Sequence, residues 1–375
     1  MVSALQQKKI RVGVLTGGAS AERDISLAAG AQIQRSLPAD RFEVVLLDPL
    51  ALMVRNPAIT EMQRAQGRAL LGGGGGLDPA HELPKGLERE IESASRALVP
   101  ATRATFDAAE PLDVVFISLY GTWGEDGRIQ GLLDTLGIPY TGSGVLASAL
   151  AMDKVMAKTV LAAAGLDVPR GVVVGTAGGA DLERARGVGL PAFVKPVGGG
   201  SSVGAAIVRR AEHLGPALAD ALGYDDRALV EEYLEGRELT VAVIGNDDPR
   251  PLPVIEIVTK REFFDYHAKY DTGGSEEIVP ARVPDAVAKR AQDIAMTAHR
   301  ALACRGMSRT DIVWTPVGPH EPREPRMVVL EVNTIPGMTA NSLLPKAAKA
   351  AGIEFGDLCA RLVDWALEDA RRRRR

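Results

Sequence analysis

The chain has 375 residues, 46% of them hydrophobic and 25% charged, with a formal net charge of −4. That length is more than one core usually serves, so two or three domains are expected, and the acidic balance argues against a general nucleic-acid binder, whose phosphate contacts need a basic surface. Cys304 and Cys359 lack the CxxC spacing of a disulfide framework or thiolate metal site, no run reaches the ~18 apolar residues of a spanning helix, and the N-terminus lacks a signal-peptide core; a cytoplasmic enzyme with no membrane partner is expected.

Ile10 to Leu15 is a continuous apolar strand that runs into Thr16-Gly17-Gly18-Ala19-Ser20-Ala21-Glu22-Arg23. This is the strand, glycine turn and helix start of a first βα unit in a parallel layer, and such turns lie where open α/β sheets bind ligands. The glycine pair does not match GxGxxG, and Glu22 taken alone reads as a first-turn acid complementing the helix dipole. Phe42 to Leu47 is a second strand. Residues 50–110 lose periodicity and include Gly72 to Gly76, which reads as an insertion with at most a helix around Leu87 to Leu98. Val114 to Ile117 is the next strand, followed by Ser118-Leu119-Tyr120-Gly121, by a helix from about Arg128 to Leu136, and by a loop at Thr141 to Gly144. A first domain is expected over 1–142.

Val145 to Ala163 reads as one Ala/Leu/Met helix containing Met152-Asp153-Lys154. Strands follow at Gly171 to Val174 and at Ala192 to Lys195. A strand (Ala205 to Val208), a helix (Ala211 to Leu222) and a strand (Ala228 to Tyr233) complete a central domain over 143–230. Residues 231–375 alternate strands with late helices, one near Asp285 to Ala303 with Val287, Ala291, Ile294, Ala298 and Leu302 on one face. The run Arg371 to Arg375 is a like-charge block suited to a frayed end or to the negative end of a helix dipole.

Four clusters carry chemistry. Lys195 ends a strand and precedes Gly198-Gly199-Gly200-Ser201-Ser202-Val203-Gly204, where glycines let N–H groups approach phosphate and two hydroxyls add donors. The lysine precedes the glycines, so this is not a P-loop, and a plain hairpin loop shares the composition. In Glu231 to Glu238, Glu231 or Glu238 could accept from an adenine amino group or ribose hydroxyls and Leu234 could offer its backbone; exposed acids on a linker look the same. Phe263 to Tyr270 is aromatic-rich and leads into Gly273-Gly274, as a water-excluding lid or a packed hairpin would, with Lys269 and Tyr270 the inward-pointing residues of a lid. Finally, Arg309 to Trp314 and Val328 to Asn333 read as an antiparallel strand pair. Alternation puts Arg309 with Asp311 on one face and Glu331 with Asn333 on one face. Hard oxygen donors without His or Cys suit Mg²⁺ or Mn²⁺ shared with substrate phosphates, the wet face of a sheet being the other reading. Gly337 follows with an N–H that could face an oxyanion.

Together these stretches closely resemble the D-alanine–D-alanine ligases of the ATP-grasp superfamily. The matching segments are Gly17 to Arg23, Gly124-Glu125-Asp126-Gly127, Met152-Asp153-Lys154, Val194-Lys195-Pro196 with Gly200 to Gly204, Arg309 with Asp311, and Glu331 to Thr339, in family order. The resemblance implies three α/β domains with an N-terminal preATP-grasp parallel sheet, ATP as substrate, two Mg²⁺ (or Mn²⁺) ions and a homodimer. It implies that Lys154, Lys195 and Lys269 contact ATP phosphates and that Ser201, Ser202, Val203 and Gly204 cover them. Glu231, Leu234 and Glu238 would hold the adenosine, with Tyr233 beside the base. Asp311, Glu331 and Asn333 would hold the ions. Glu22, tied to Ser201 and Tyr270, would take the ammonium of the first D-alanine; Arg309 and the Gly337 N–H would stabilise the oxyanion; Ser342 and Leu343 would bind the second carboxylate. The implied product is D-alanyl-D-alanine for peptidoglycan, with D-alanine–D-lactate or D-alanine–D-serine ligation the nearest alternatives and a non-catalytic nucleotide sensor a distant one. One departure stands out. Tyr120 occupies the place of the usual family His in His-Gly-x-x-Gly-Glu-Asp-Gly, which leaves the pH profile and second-substrate preference open because a phenol does not titrate near neutrality.

Overall fold

The computed structural model describes residues 8–18, 20, 22–50, 99–100, 111–199, 204–259, 275–315 and 325–373. The expected insertion helix at 87–98 and the lid at 263–270 lie outside the described residues. The chain divides into two compact units: one of Met1–Tyr120, Ile129–Gly142 and Gly337–Arg375, the other of Gly121–Arg128 and Ser143–Pro336.

The first unit is built on a parallel sheet of β1 (Ile10–Leu15), β2 (Phe42–Asp48), β3 (Val99–Pro100) and β4 (Val114–Ile117) in the order β3-β2-β1-β4. All four residues of β4 are buried, as are Val12, Val14 and Leu15 of β1, which is why these strands read as unbroken apolar runs and not as alternating ones. Helices α1 (Arg23–Ser36) and α2 (Arg128–Leu136) come from the first part of the chain. The last stretch returns to this unit as two further helices described below, the longer of which packs on α1 and β4.

The second unit holds helices α3 (Val145–Met152), α4 (Lys154–Ala163), α5 (Gly179–Arg186) and α6 (Leu214–Ala221). Its first sheet orders β5 (Gly171–Val174), β8 (Ala228–Glu232), β6 (Ala192–Pro196) and β7 (Ala206–Val208) as β5-β8-β6-β7, antiparallel throughout. A second antiparallel sheet orders β9 (Arg237–Gly245), β11 (Ile255–Thr259), β12 (Ser275–Ile278), β13 (Gly306–Thr315) and β14 (Arg326–Asn333) as β12-β11-β9-β13-β14, with β10 (Arg250–Pro251) paired to β9. Helix α7 (Asp285–Ala301) covers this sheet. Its Ala291, Ile294, Ala295 and Ala298 share a core with Leu239, Val241 and Val243 of β9, Ile312 of β13 and Val329 of β14. The closing helices are α8 (Leu343–Ala350) and α9 (Phe355–Arg373).

Two helical expectations change. The single helix expected over Val145 to Ala163 is two, broken at Asp153, whose extended backbone (φ −81°, ψ 102°) ends α3 and caps α4. The Asp153 carboxylate accepts from Val155 N and Met156 N, both at 3.0 Å, satisfying two otherwise orphaned donors. Helix α5 was not expected, because its sequence is polar and buries only Ala185. Both cysteines are buried free thiols, and burial raises Cys304 to about 12 and Cys359 further still. Among the described residues no helix is long and apolar enough to cross a membrane.

Candidate active site

In the second unit, the Asp153 break makes Lys154 the first residue of α4 and aims it at the loop after β6. Lys154 Nζ donates to Gly199 O at 2.8 Å and lies 3.4 Å from Val197 O, while Asp225 accepts from Gly198 N at 2.7 Å and pins the same loop. Burial lowers the Lys154 ammonium to about 8, with the Glu331 carboxylate opposing the shift and the Lys195 charge adding to it.

Glu231, on β8, is 2% exposed, and its two oxygens each face a lysine. Lys195 Nζ lies 2.8 Å from Oε2, and Lys158 Nζ, one helical turn beyond Lys154, lies against Oε1. Register explains the first contact, since β6 and β8 pair with Phe193 opposite Glu231 and Lys195 opposite Leu229. Burial disfavours all three charges. The two lysines nevertheless hold Glu231 below the usual carboxylate range, and Glu231, with help from Glu331, keeps Lys195 above the usual lysine value. Lys158 loses this competition: burial and the Lys195 charge bring it down to about 7.

Strands β13 and β14 pair antiparallel, with Arg309 opposite Asn333 and Asp311 opposite Glu331. Directly opposed residues point to the same face, and residues two apart share it, so all four side chains lie on one side of the pair. Arg309 grips Asp311 through Nε to Oδ1 at 2.9 Å and Nη2 to Oδ2 at 2.7 Å, and Thr240 Oγ1 donates to Oδ1 at 2.6 Å. Asn333 Oδ1 accepts from Ile335 N at 2.9 Å. The charge of Glu331 acts on both Lys154 and Lys195, which brings this patch and the two lysines into one electrostatic neighbourhood. Among the described residues no group of three or more His, Cys, Asp and Glu gathers anywhere. Two carboxylates and an amide are nevertheless the donor types that suit Mg²⁺ or Mn²⁺ shared with phosphate oxygens.

The remaining residues expected to meet adenosine sit on or beside the β8–β9 connection. Tyr233 N donates to Pro191 O at 3.1 Å, and the Arg209 guanidinium lies 5.6 Å from the Tyr233 ring centroid. Leu234 lies in the turn, and Glu238 pairs with Ile257 and Val313 across its two neighbouring strands. Gly204 has φ +69°, and a Cβ there would come within 2.6 Å of the Tyr224 ring. Ser201, Ser202, Val203, Lys269 and Tyr270 lie outside the described residues.

Glu22, Gly337, Ser342 and Leu343 belong to the first unit. Glu22 is the residue before α1, and its side chain makes no cap. The turn that carries it is braced by Arg23, which donates to Gly18 O at 2.8 Å and to Asp48 Oδ2 at 2.7 Å, while Asp48 Oδ1 accepts from Gly18 N at 3.0 Å. Gly337 leaves no room for a side chain, since a Cβ would lie 2.9 Å from Ser342 Oγ. Ser342 precedes α8 and bonds through Oγ to Thr339 Oγ1 at 2.8 Å. Lys158, Thr240 and Tyr120 were not among the expected site residues. A lysine one turn after Lys154 was the only sequence signal for the first, and Thr240 carried none.

A parallel N-terminal layer followed by two antiparallel sheets is the architecture of the ATP-grasp ligases, ATP-dependent enzymes that join a carboxylate to an amine. The family model for the D-ala D-ala ligase N-terminus matches residues 11–143, and that for the C-terminus matches residues 162–364. The chain is 42% identical over 368 residues to the D-alanine–D-alanine ligase of Syntrophobacter fumaroxidans, spanning 97% of this chain and 100% of that one. Among solved structures, it is similar to the D-alanine–D-alanine ligase of Bacillus anthracis complexed with ATP (TM-score 0.71, 28% identity, 98% of this chain and 99% of that one). It is also similar to the VanG D-Ala:D-Ser ligase of Enterococcus faecalis (TM-score 0.73, 30% identity, 96% of this chain and 100% of that one). The chain belongs to the D-alanine–D-alanine ligase family.

Proposed function

We propose that this enzyme joins two molecules of D-alanine into D-alanyl-D-alanine, as a step toward peptidoglycan precursors in the cytoplasm. A carboxylate is a poor electrophile, so a carboxylate oxygen of the first D-alanine attacks the γ-phosphorus of ATP, ADP leaves, and an acyl phosphate forms. The neutral amine of the second D-alanine then attacks the acyl carbon, and inorganic phosphate departs as the amine loses its proton. The observation that carries this reading is the placement of Glu331 opposite Asp311, with its charge acting on both Lys154 and Lys195.

Each residue has a task in that scheme. Lys154 and Lys195 meet the phosphates, and Glu231 keeps Lys195 charged, with Leu234 and Glu238 left to hold adenosine beside Tyr233. Ser201 to Gly204 and Lys269 close over the triphosphate. Glu22, with Ser201 and Tyr270, takes the first ammonium, and Ser342 with Leu343 takes the second carboxylate. Arg309 and the Gly337 N–H meet the oxyanion, each contributing on the order of 3 kcal/mol in the transition state. Asp311, Glu331 and Asn333 fit a pair of Mg²⁺ or Mn²⁺ ions. Among the described residues, Asp311 Oδ2 accepts from Arg309 and Asn333 Oδ1 from Ile335, and each oxygen has a second lone pair. When bound, such ions neutralise the crowded charge of the phosphates. We assign these tasks to three domains, 1–142, 143–230 and 231–375, in a homodimer.

Similarity to a D-Ala:D-Ser ligase makes the second substrate the point to test. Phosphate release from ATP is measured with D-alanine alone and with D-alanine plus D-serine, D-lactate or L-alanine, and products are identified by mass. D-alanyl-D-alanine as the dominant product supports the reading. A dominant D-serine or D-lactate product reassigns the second site, and ATP binding without amino-acid-dependent turnover removes the enzyme altogether.

A further inference from the structure

The first unit contains a row of buried polar groups that the proposed chemistry does not use. Gly17 N donates to Ser26 Oγ at 2.8 Å, and Ser26 Oγ in turn donates to the carbonyl oxygen of Ser118. Ser118 Oγ lies 3.3 Å from the Tyr120 hydroxyl, which accepts from Met338 N at 2.9 Å. Ser26, Ser118 and Met338 are fully buried, and Tyr120 is 5% exposed. The phenol oxygen accepts the Met338 N–H, and in its contact with Ser118 Oγ either hydroxyl can donate. The row thus starts in the turn that carries Glu22, passes the end of β4, and ends one residue after Gly337.

The loop it reaches is fixed from other sides as well. Gln32 Oε1, on α1, accepts from Ala340 N at 2.6 Å, and Thr339 N reaches Ser342 Oγ at 3.2 Å. Among the described residues, the Tyr120 hydroxyl is the acceptor of the backbone N–H next to Gly337. Without its phenol acceptor, the Met338 N–H would be buried and unsatisfied, a state that a backbone segment relieves by shifting. A shift there moves the Gly337 N–H and the start of α8 together, and small misplacements of binding groups carry large kinetic costs.

We infer that Tyr120 is a positioning residue for the second amino acid, holding the 337–343 loop through Met338 and coupling it to the Glu22 turn through Ser118 and Ser26. The inference rests on the proposed reading of Gly337, Ser342 and Leu343 as the second-substrate loop. The test is steady-state kinetics on the full-length enzyme, with both D-alanine KM values and the ATP KM resolved for Tyr120→Phe, Tyr120→His, Ser118→Ala and Ser342→Ala. Tyr120→Phe is expected to raise the KM of the second D-alanine about tenfold while the KM of ATP changes less than about twofold. Tyr120→His, whose ring nitrogen can again accept, is expected to recover most of the loss. Should Tyr120→Phe fail to fold, Ser118→Ala carries the test, because it cuts the row yet keeps the phenol at Met338; a rise of about threefold in the same KM is expected. If Ser342→Ala leaves that KM unchanged, the reading of the loop falls and the inference falls with it. If Ser342→Ala raises it while Tyr120→Phe, or Ser118→Ala in its place, moves no KM or moves all three alike, the inference alone is overturned.

Discussion

Asp311 lies directly opposite Glu331 across β13 and β14, and the next pair, Ile312 with Val329, skips Leu330. The extra residue is a bulge that resets which face each later side chain occupies. Above it the two carboxylates share a face with Arg309 and Asn333; below it Ile312 and Val329 both enter the core at 0% exposure. One strand pair thereby serves a polar site and an apolar core without a break in the ladder.

That arrangement makes Glu331 the most exacting position. Glu331→Gln keeps the shape and removes the charge that acts on Lys154 and Lys195. Amino-acid-dependent phosphate release is expected to fall on the order of 100-fold or more at saturating Mg²⁺, with the unfolding midpoint moved by only a few degrees. Near-normal turnover in this variant would remove the metal assignment.

Lys154 supplies a pH dependence. Burial brings its ammonium down to about 8, so in the free enzyme the charged form prevails below that pH and is lost above it. The kcat/KM for ATP is expected to fall as pH rises through about 8, approaching tenfold per unit beyond it. Lys154→Arg, which stays charged, should move that limb to higher pH. An unmoved alkaline limb in Lys154→Arg would assign it to another group.

The Lys158–Glu231–Lys195 cluster predicts unequal stability costs for its members. Glu231→Gln leaves two buried amines without their counter-charge, and a loss of about 3 kcal/mol is expected in denaturant unfolding. Lys158→Met leaves Glu231 still paired with Lys195 and is expected to cost less than about 1 kcal/mol. Equal costs for the two variants would show that Lys158 carries as much of the charge balance as Lys195.

His299 predicts acid sensitivity in the second unit. It is 1% exposed, its Nδ1 lies 2.7 Å from Ser308 Oγ, and its Nε2 meets no hydrogen-bond partner among the described residues. Burial and the Arg300 charge lower it to about 4 from an ordinary 6.5. The unfolded chain therefore binds the proton more readily. The stability held above pH 6.5 is lost as pH falls toward 4, on the order of 3 kcal/mol across that window. His299→Asn should flatten this acid limb of the unfolding midpoint, and an unchanged limb would acquit the histidine.

Much of the fold was legible because buried parallel strands and glycine turns leave plain marks. Ile10–Leu15 and Val114–Ile117, both in the parallel layer, begin and end where the apolar runs do. The facing of Asp311, Glu331 and Asn333 was likewise readable from period-two alternation on two β-branched strands. Three things were not. The helix break at Asp153 is a capping choice inside a run with no change in hydrophobicity, although Asp before a helical stretch was the available clue. Pairing of Glu231 with Lys158 and Lys195 depends on how β6, β8 and α4 pack, which no local spacing encodes. Tyr120 stood out only as a departure; that its hydroxyl meets a backbone N–H 218 positions later is a product of tertiary structure.

The return of residues 337–375 to the first unit also sets an order of assembly. The second unit is closed within 121–336, so its sheets contain no strand from the closing stretch. The parallel layer laid down first must wait for α9, which packs on α1 and β4, before its core is sealed. A chain ending before residue 355 would thus keep every strand of the second unit while lacking the helix that packs on α1 and β4.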